Sequence, residues 1–261
     1  MIKVTTQQLA QILNANLIGD GQAVVENINT DTRKAVSNSL FFALKGEHFD
    51  AHQYLDKAVE QGATALVVQE ANTEIATPQL VVADTRLALG QLAKWLREKI
   101  NPRTVAMTGS SGKTTVKEMT ASILQQTAGN PEAVLFTNGN FNNDIGVPLT
   151  LLRLTEQHKF AVIELGANHQ DEIDYTTHLA QPEAALVNNV AAAHLEGFGS
   201  IEGVARAKGE IYRGLTPNGV AIINSEHNYI ELWPKEIGSH AIQYFNGGDY
   251  KAENVKHSPN G

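Results

Sequence analysis

Apolar residues recur along this chain with two different periods, and the switches between them mark out its elements. From Thr6 to Leu13 the residues Leu9, Ile12 and Leu13 fall at helical spacing, behind a threonine able to cap the first turn. Short β-rich runs follow at 23–28 (AVVENI), 39–44 (SLFFAL), 63–68 (ATALVV) and 79–83 (QLVVA), with a helix predicted at 52–61. Segment 85–100, TRLALGQLAKWLREKI, gathers Leu87, Leu89, Leu92, Ala93, Trp95, Leu96 and Ile100 largely on one helical face and stops at Asn101-Pro102.

The pattern then becomes a regular alternation. Strands predicted at 104–108, 133–137, 160–165, 183–188 and 219–224 are separated by helices at 114–127, 146–154, 171–179 and 201–214. Such alternation builds a parallel sheet with helices on its faces. The expected fold is therefore α/β, with a small N-terminal α/β domain over 1–100. A mostly parallel-sheet central domain of the P-loop ATPase kind follows over 101–261. The echo between TDTRKA (30–35) and ADTRLA (83–88) is too short to mark a repeat.

Composition narrows the function. A net charge of -8 gives no broad basic footprint, which argues against nucleic acid or an anionic membrane surface as partner. The absence of cysteine excludes disulfides, thiolate metal sites and a thiol nucleophile, and fits a reducing cytosol. MIKVTTQQLAQILNAN lacks the continuous apolar stretch of a signal peptide, and no run is long enough to span a bilayer. A soluble cytoplasmic protein without membrane insertion is expected, and a monomer.

The sharpest chemical signal is TVAMTGSSGKTT, residues 104–115. A loop that cradles a triphosphate needs inward N–H groups, glycines for close approach, a lysine as a mobile charge and a hydroxyl for the metal. Gly109, Gly112, Lys113 and Thr114 supply them, with Thr108, Ser110, Ser111 and Thr115 completing the ATP-binding stretch. The strict Walker pattern would require glycine where Met107 stands, so only the shorter TGSSGKTT form is present. Lys113 would meet the β- and γ-phosphates and Thr114 a Mg²⁺.

Other candidates are ambiguous alone. Glu164 closes the apolar strand FAVIEL at the edge where ligands gather in open α/β sheets, and reads equally as a metal ligand or a solvated strand-end acid. His194, in NNVAAAHLEGFGS, should reach the same edge, although a single histidine is more often a hydrogen-bonding core or loop residue. Lys208 in RAKGEIY reads in isolation as a snorkelling surface lysine. The loop TNGNFNNDIGVP (137–148) is turn chemistry or, through Asn140, Asn142 and Asn143, a hydrogen-bonding surface for a polar substrate.

Taken together, five segments resemble the Mur ligases of peptidoglycan synthesis, in particular the branch that adds D-alanyl-D-alanine. They are TDTRKAVSNSLFFALKGEHFDAH (30–52), TGSSGKTTVKEMT (108–120), NGNFNNDIGVPLTLLRL (138–154), VIELGANHQDEI (162–173) and NNVAAAHLEGFGSIEGVARAKGEIY (188–212). The TGxxGKT loop is the family's own form, which removes the objection at Met107.

The resemblance implies roles that spacing does not. The N-terminal domain would bind UDP-N-acetylmuramoyl-tripeptide through Asp31, Thr32, Arg33, Lys45, Gly46, Asp50 and His52. The central domain would use ATP and two Mg²⁺ ions, with Thr114 near the first and Glu164 and His194 at the second. Lys208 would carry a carbamate, turning a repelling ammonium into a carboxylate that supports a cation. Lys113, Glu164, His194 and Lys208 would form the catalytic group. The implied reaction is ATP-driven amide formation with D-alanyl-D-alanine through an acyl phosphate, a step in cell-wall building and so in cell shape and division. Family members continue into a C-terminal domain that delivers the amine, so residues 1–261 alone are expected not to complete the ligation. The competing readings are another Mur-type or folylpolyglutamate-type amide ligase, and a non-catalytic nucleotide-binding regulator.

Overall fold

Thr5 opens the first helix with a reciprocal cap: its hydroxyl accepts the Gln8 N–H while the Gln8 side chain accepts the Thr5 N–H. The structure, a computed structural model, describes residues 3–192, 195–226, 228–250 and 253. The chain folds as two units, Met1–Asn101 with Pro148–Gln157, and Pro102–Val147 with His158–Gly261.

In the first unit the order is β1 (Val4–Thr5), α1 (Thr6–Leu13), β2 (Asn16–Ile18), β3 (Val24–Val25), β4 (Asn27–Asn29), β5 (Ser39–Phe42), α2 (Leu55–Glu60), β6 (Ala63–Val68), β7 (Gln79–Val81) and α3 (Thr85–Ile100). Five strands form one sheet in the order β2-β7-β6-β5-β4, parallel except for β2. β5 is buried along its whole length and β6 along most of it, as their continuous apolar runs require. Phe41, Leu66 and Val68 pack against Leu55 and Ala58 of α2.

Two expectations change here. The run 23–28 is not one strand, because the Glu26 N–H bonds the Asn38 carbonyl, β3 pairs with β1 in a separate ribbon and only β4 joins the sheet. The helix expected at 52–61 begins as a 3-10 turn, Ala51–Tyr54, capped by Asp50, and becomes α-helical at Leu55.

The second unit runs β8 (Arg103–Thr108), α4 (Lys113–Ala128), β9 (Val134–Phe136), α5 (Gly146–Leu151), β10 (Phe160–Glu164), α6 (Glu172–Ala180), β11 (Ala184–Val187), α7 (Leu195–Phe198), α8 (Ile201–Gly209), β12 (Val220–Asn224), α9 (Pro234–Ile237) and β13 (Ala241–Phe245). Its six strands are all parallel, in the order β13-β12-β11-β8-β10-β9. The order turns back at β8, with β10 on one side and β11 on the other, so the crevice beyond its C-terminal end is the switch point where such sheets bind ligands.

The helix expected at 201–214 holds its α form only to Gly209 and tightens into a 3-10 turn over Glu210–Gly214. Trp233, fully buried, lies so close to Gly209 that any Cβ there would run into its ring, and its indole N–H bonds the Ala205 carbonyl at 2.8 Å. Among the described residues no helix is long and apolar enough to cross a membrane.

Candidate functional site

At the switch point β8 ends in the buried Thr108, and the chain turns into α4 through Gly109 (φ +154°) and Gly112 (φ +69°). The second of these is a left-handed conformation that glycine adopts without strain. As the residue preceding α4, Gly112 offers no side chain to its first-turn N–H groups, and the helix start is left open to an anion. Lys113 folds back, its Nζ donating to the Gly109 carbonyl at 2.8 Å.

Glu164 closes β10 directly beside this turn, because the parallel register sets it opposite Met107. It is 2% exposed, and both carboxylate oxygens are engaged: Oε1 accepts the Asn142 amide at 2.8 Å and Oε2 the Thr114 hydroxyl at 3.1 Å. The Asn-rich loop therefore divides its work. Asn142 reaches the carboxylate, Asn143 accepts the Gly146 N–H at the start of α5, and Asn140 is exposed. Behind the loop Lys117, fully buried, donates to the Thr137 carbonyl at 2.7 Å and pairs with Glu118.

Lys208 is not a surface lysine. It is 2% exposed, and burial, together with the nearby charge of Lys113, brings its amine down to about 8 against the opposing pull of Glu210 and Glu172. Both lysines line one cavity of about 180 Å³ with Asn142, Asn143, Asn168 and Glu172. Nothing in the sequence context of Glu172 singles it out except its place in the first turn of α6, just beyond β10. His194 lies outside the described residues, and among those described no three histidine or acidic side chains are grouped to hold a metal.

In the first unit Lys45, Asp50 and His52 line an open cavity of about 550 Å³ with Gln69, Glu70 and Asn72. His52 Nε2 accepts the Gln69 N–H at 2.9 Å, which puts the ring proton on Nδ1, 2.6 Å from the Asp50 carboxylate. Gly46 closes the adjoining turn by donating to the Phe49 carbonyl, and that turn displays Phe49 stacked on Tyr54. Asp31, Thr32 and Arg33 are not among the described residues lining the cavity. Arg33 instead grips Asp31 through two bonds of 2.8 and 2.9 Å, which hold that carboxyl at about 2.

Residues 107–261 match the Mur ligase middle domain, and residues 24–96 match the Mur ligase family catalytic domain. Over all 261 residues the chain is 77% identical to the UDP-N-acetylmuramoyl-tripeptide--D-alanyl-D-alanine ligase of Haemophilus influenzae, of which it spans 57%. It is 55% identical to the Escherichia coli protein of the same name, over 98% of its own length and 56% of that protein's. Among solved structures, 98% of the chain superposes on 56% of MurF from Acinetobacter baumannii with a TM-score of 0.92 at 44% identity. MurF from Thermotoga maritima in complex with ADP covers 86% of the chain, which spans 52% of that protein, with a TM-score of 0.75 at 28% identity. The glycine loop, the acid that ends its neighbouring strand and the buried lysine thus stand on a known scaffold, and the chain belongs to the Mur ligase family.

Proposed function

We propose that this chain holds ATP and UDP-N-acetylmuramoyl-tripeptide for an acyl-phosphate ligation to D-alanyl-D-alanine in peptidoglycan precursor synthesis. The observation that carries the reading is the convergence of Lys113, Thr114, Glu164 and Lys208 at the edge where β8 and β10 end. The 77% identity to a ligase named for that substrate pair, and the ADP complex of a related structure, point the same way.

Residues Thr108 to Thr115 would wrap the phosphates, with Lys113 swinging from the Gly109 carbonyl to the β- and γ-oxygens. Thr114 and the buried Glu164 offer a hydroxyl and a carboxylate, oxygen donors of the kind Mg²⁺ takes. In the two-ion arrangement of the family, Glu164 and His194 would hold the second ion and Thr114 the first. Mg²⁺, when bound, neutralises charge on the transferring phosphoryl group.

Lys208 fits a carbamate because its buried amine gives up its proton readily, as capture of CO₂ demands. In the reaction a carboxylate oxygen of the tripeptide bonds to the γ-phosphorus as the bond to the β-bridging oxygen breaks, giving acyl phosphate and ADP. The D-alanyl-D-alanine amine then bonds to the acyl carbon, loses a proton and expels phosphate. Asn140, Asn142 and Asn143 would contact the polar substrate. In the first unit Lys45, Gly46, Asp50 and His52, with Asp31, Thr32 and Arg33, would bind its UDP-linked portion. The setting expected for this chemistry is the cytoplasm.

The test is phosphate release by the protein containing this chain, assayed with ATP, D-alanyl-D-alanine and each UDP-muramyl peptide in turn. Release is expected with the tripeptide form. Release with a different peptide would move the chain to another amide-ligase branch, and ATP binding with no release for any would make it a nucleotide-binding regulator.

A further inference from the structure

Two consecutive asparagines at the end of β11 grip the phosphate loop from the side. Asn189 Oδ1 accepts the N–H groups of Ser110 and Ser111 at 3.1 and 2.9 Å, and its Nδ2 donates to the Ser111 carbonyl at 2.9 Å. Asn188 Nδ2 donates to the same carbonyl at 2.8 Å. Ser110 adds an exchange with Ala191, its hydroxyl donating to the Ala191 carbonyl and accepting the Ala191 N–H. The placement follows from register: Val187 lies opposite Thr108 in the parallel ladder, so residues 188 and 189 run beside 109 to 111. Gly109 completes the fit, since a Cβ there would stand 3.1 Å from Asn188 Cβ and 3.2 Å from the Asn189 nitrogen.

In the free chain these bonds tie the Ser110 and Ser111 backbone to the end of β11 and leave the start of α4 uncapped by any side chain. We propose that Asn188 and Asn189 are positioning residues that hold the loop in its phosphate-receiving shape before nucleotide arrives. The proposal rests on the reading that this loop takes ATP. An unclamped loop would have to order these residues on binding, at a cost on the order of tenfold in affinity for each. A carboxamide suits the task better than a carboxylate. It both accepts from N–H groups and donates to the Ser111 carbonyl, and it adds no negative charge beside a triphosphate. The rival reading of the same contacts is that Asn189 Oδ1 competes with phosphate for the loop donors, and it makes the opposite prediction.

The experiment compares Mg-ATP binding by the unaltered chain and by Asn189→Ala and Asn188→Ala, with thermal midpoints recorded alongside. Asn189→Ala should weaken binding by roughly tenfold or more, and Asn188→Ala by less, in keeping with the bonds each removes. In the ligation assay the loss should appear in KM for ATP, with kcat and KM for the UDP-linked substrate little changed, a split that general destabilisation would not produce. A second measurement needs no variant. Amide hydrogen exchange over Thr108–Gly112 should already be slow without nucleotide. Equal or tighter ATP binding by Asn189→Ala overturns the proposal, as does fast exchange in the free chain that slows only with ATP. If the unaltered chain binds no Mg-ATP, the nucleotide reading fails, and the exchange measurement still decides whether the loop is clamped.

Discussion

Thr114 donates its hydroxyl proton to Glu164 across 3.1 Å, although 50 residues separate them in the chain. The contact joins the first turn of α4 to the end of β10. It brings together an alcohol and a carboxylate that an adjacent amide, from Asn142, already holds in orientation. Glu164→Gln keeps the shape of the side chain and removes its charge. If Glu164 holds the metal as proposed, phosphate release is expected to fall by about 100-fold or more, since the negative charge of the ligand is lost. Thermal unfolding should move little. Activity within tenfold of the unaltered protein would remove Glu164 from metal binding.

Lys208 makes stability depend on pH in a defined direction. Its folded value, about 8, lies below the ordinary 10.5, so below pH 8 the native state carries the full cost of a buried ammonium. The cost fades as pH rises from about 8 to 10.5. In buffer stripped of CO₂, Lys208→Met should therefore be more stable than the parent at pH 7, by about 3 kcal/mol. The gap should close above pH 10.5. Denaturant unfolding at the two pH values is the check, and a gap that widens with pH would contradict it. Adding bicarbonate should raise phosphate release by the parent and leave Lys208→Met unaffected.

Glu210 caps a helix that is remote from it in sequence. Its carboxylate accepts the N–H groups of Asp171 and Asp174 at the start of α6, at 2.8 and 3.1 Å, and it is 1% exposed. Glu210→Ala strands both donors, and a loss of about 2 kcal/mol in unfolding free energy is expected. A loss below about 0.5 kcal/mol would mean that water replaces the carboxylate at no cost.

In the first unit His52 links the Asp50 carboxylate to the Gln69 backbone on the wall of the larger cavity. On the proposed function, His52→Ala should raise KM for the UDP-linked substrate by about tenfold while leaving the affinity for ATP unchanged. A change in ATP affinity instead would dissociate this cavity from the UDP-linked substrate.

Much of the fold is legible because buried parallel strands are written as apolar runs. FAVIEL and ATALVV read as strands, and the structure has β10 and β6 there. β13 escapes the pattern because AIQYF forms an edge strand, exposed over its first three residues, and carries no burial signature. β1 and β2 are two and three residues long, too short for a period to register, whereas β3 falls within the β-rich run 23–28. The tripeptide Asp-Thr-Arg shared by 31–33 and 84–86 shows how little a short echo fixes. Asp31 holds its arginine in a turn, whereas Asp84 caps α3.

The site divides along the same line. The glycine loop and its lysine are contiguous and could be read directly. Asn142, Glu172, Asn188 and Asn189 acquire their places from strand order and helix packing, which periodicity does not encode.

Because the strands around the loop are parallel and in fixed register, the site is indexed by residue count. Side chains alternate between faces of a sheet, so deleting one residue within β10 ahead of Glu164 would turn its carboxylate to the opposite face. A deletion in β11 would carry Asn189 away from Ser110 and Ser111 in the same manner. Insertions in the turns at the opposite edge of the sheet, where the helices lead back into these strands, have no such effect. The scaffold thus accommodates length changes at that edge and none in the three strands, or in the loops at their C-terminal ends, that form the site.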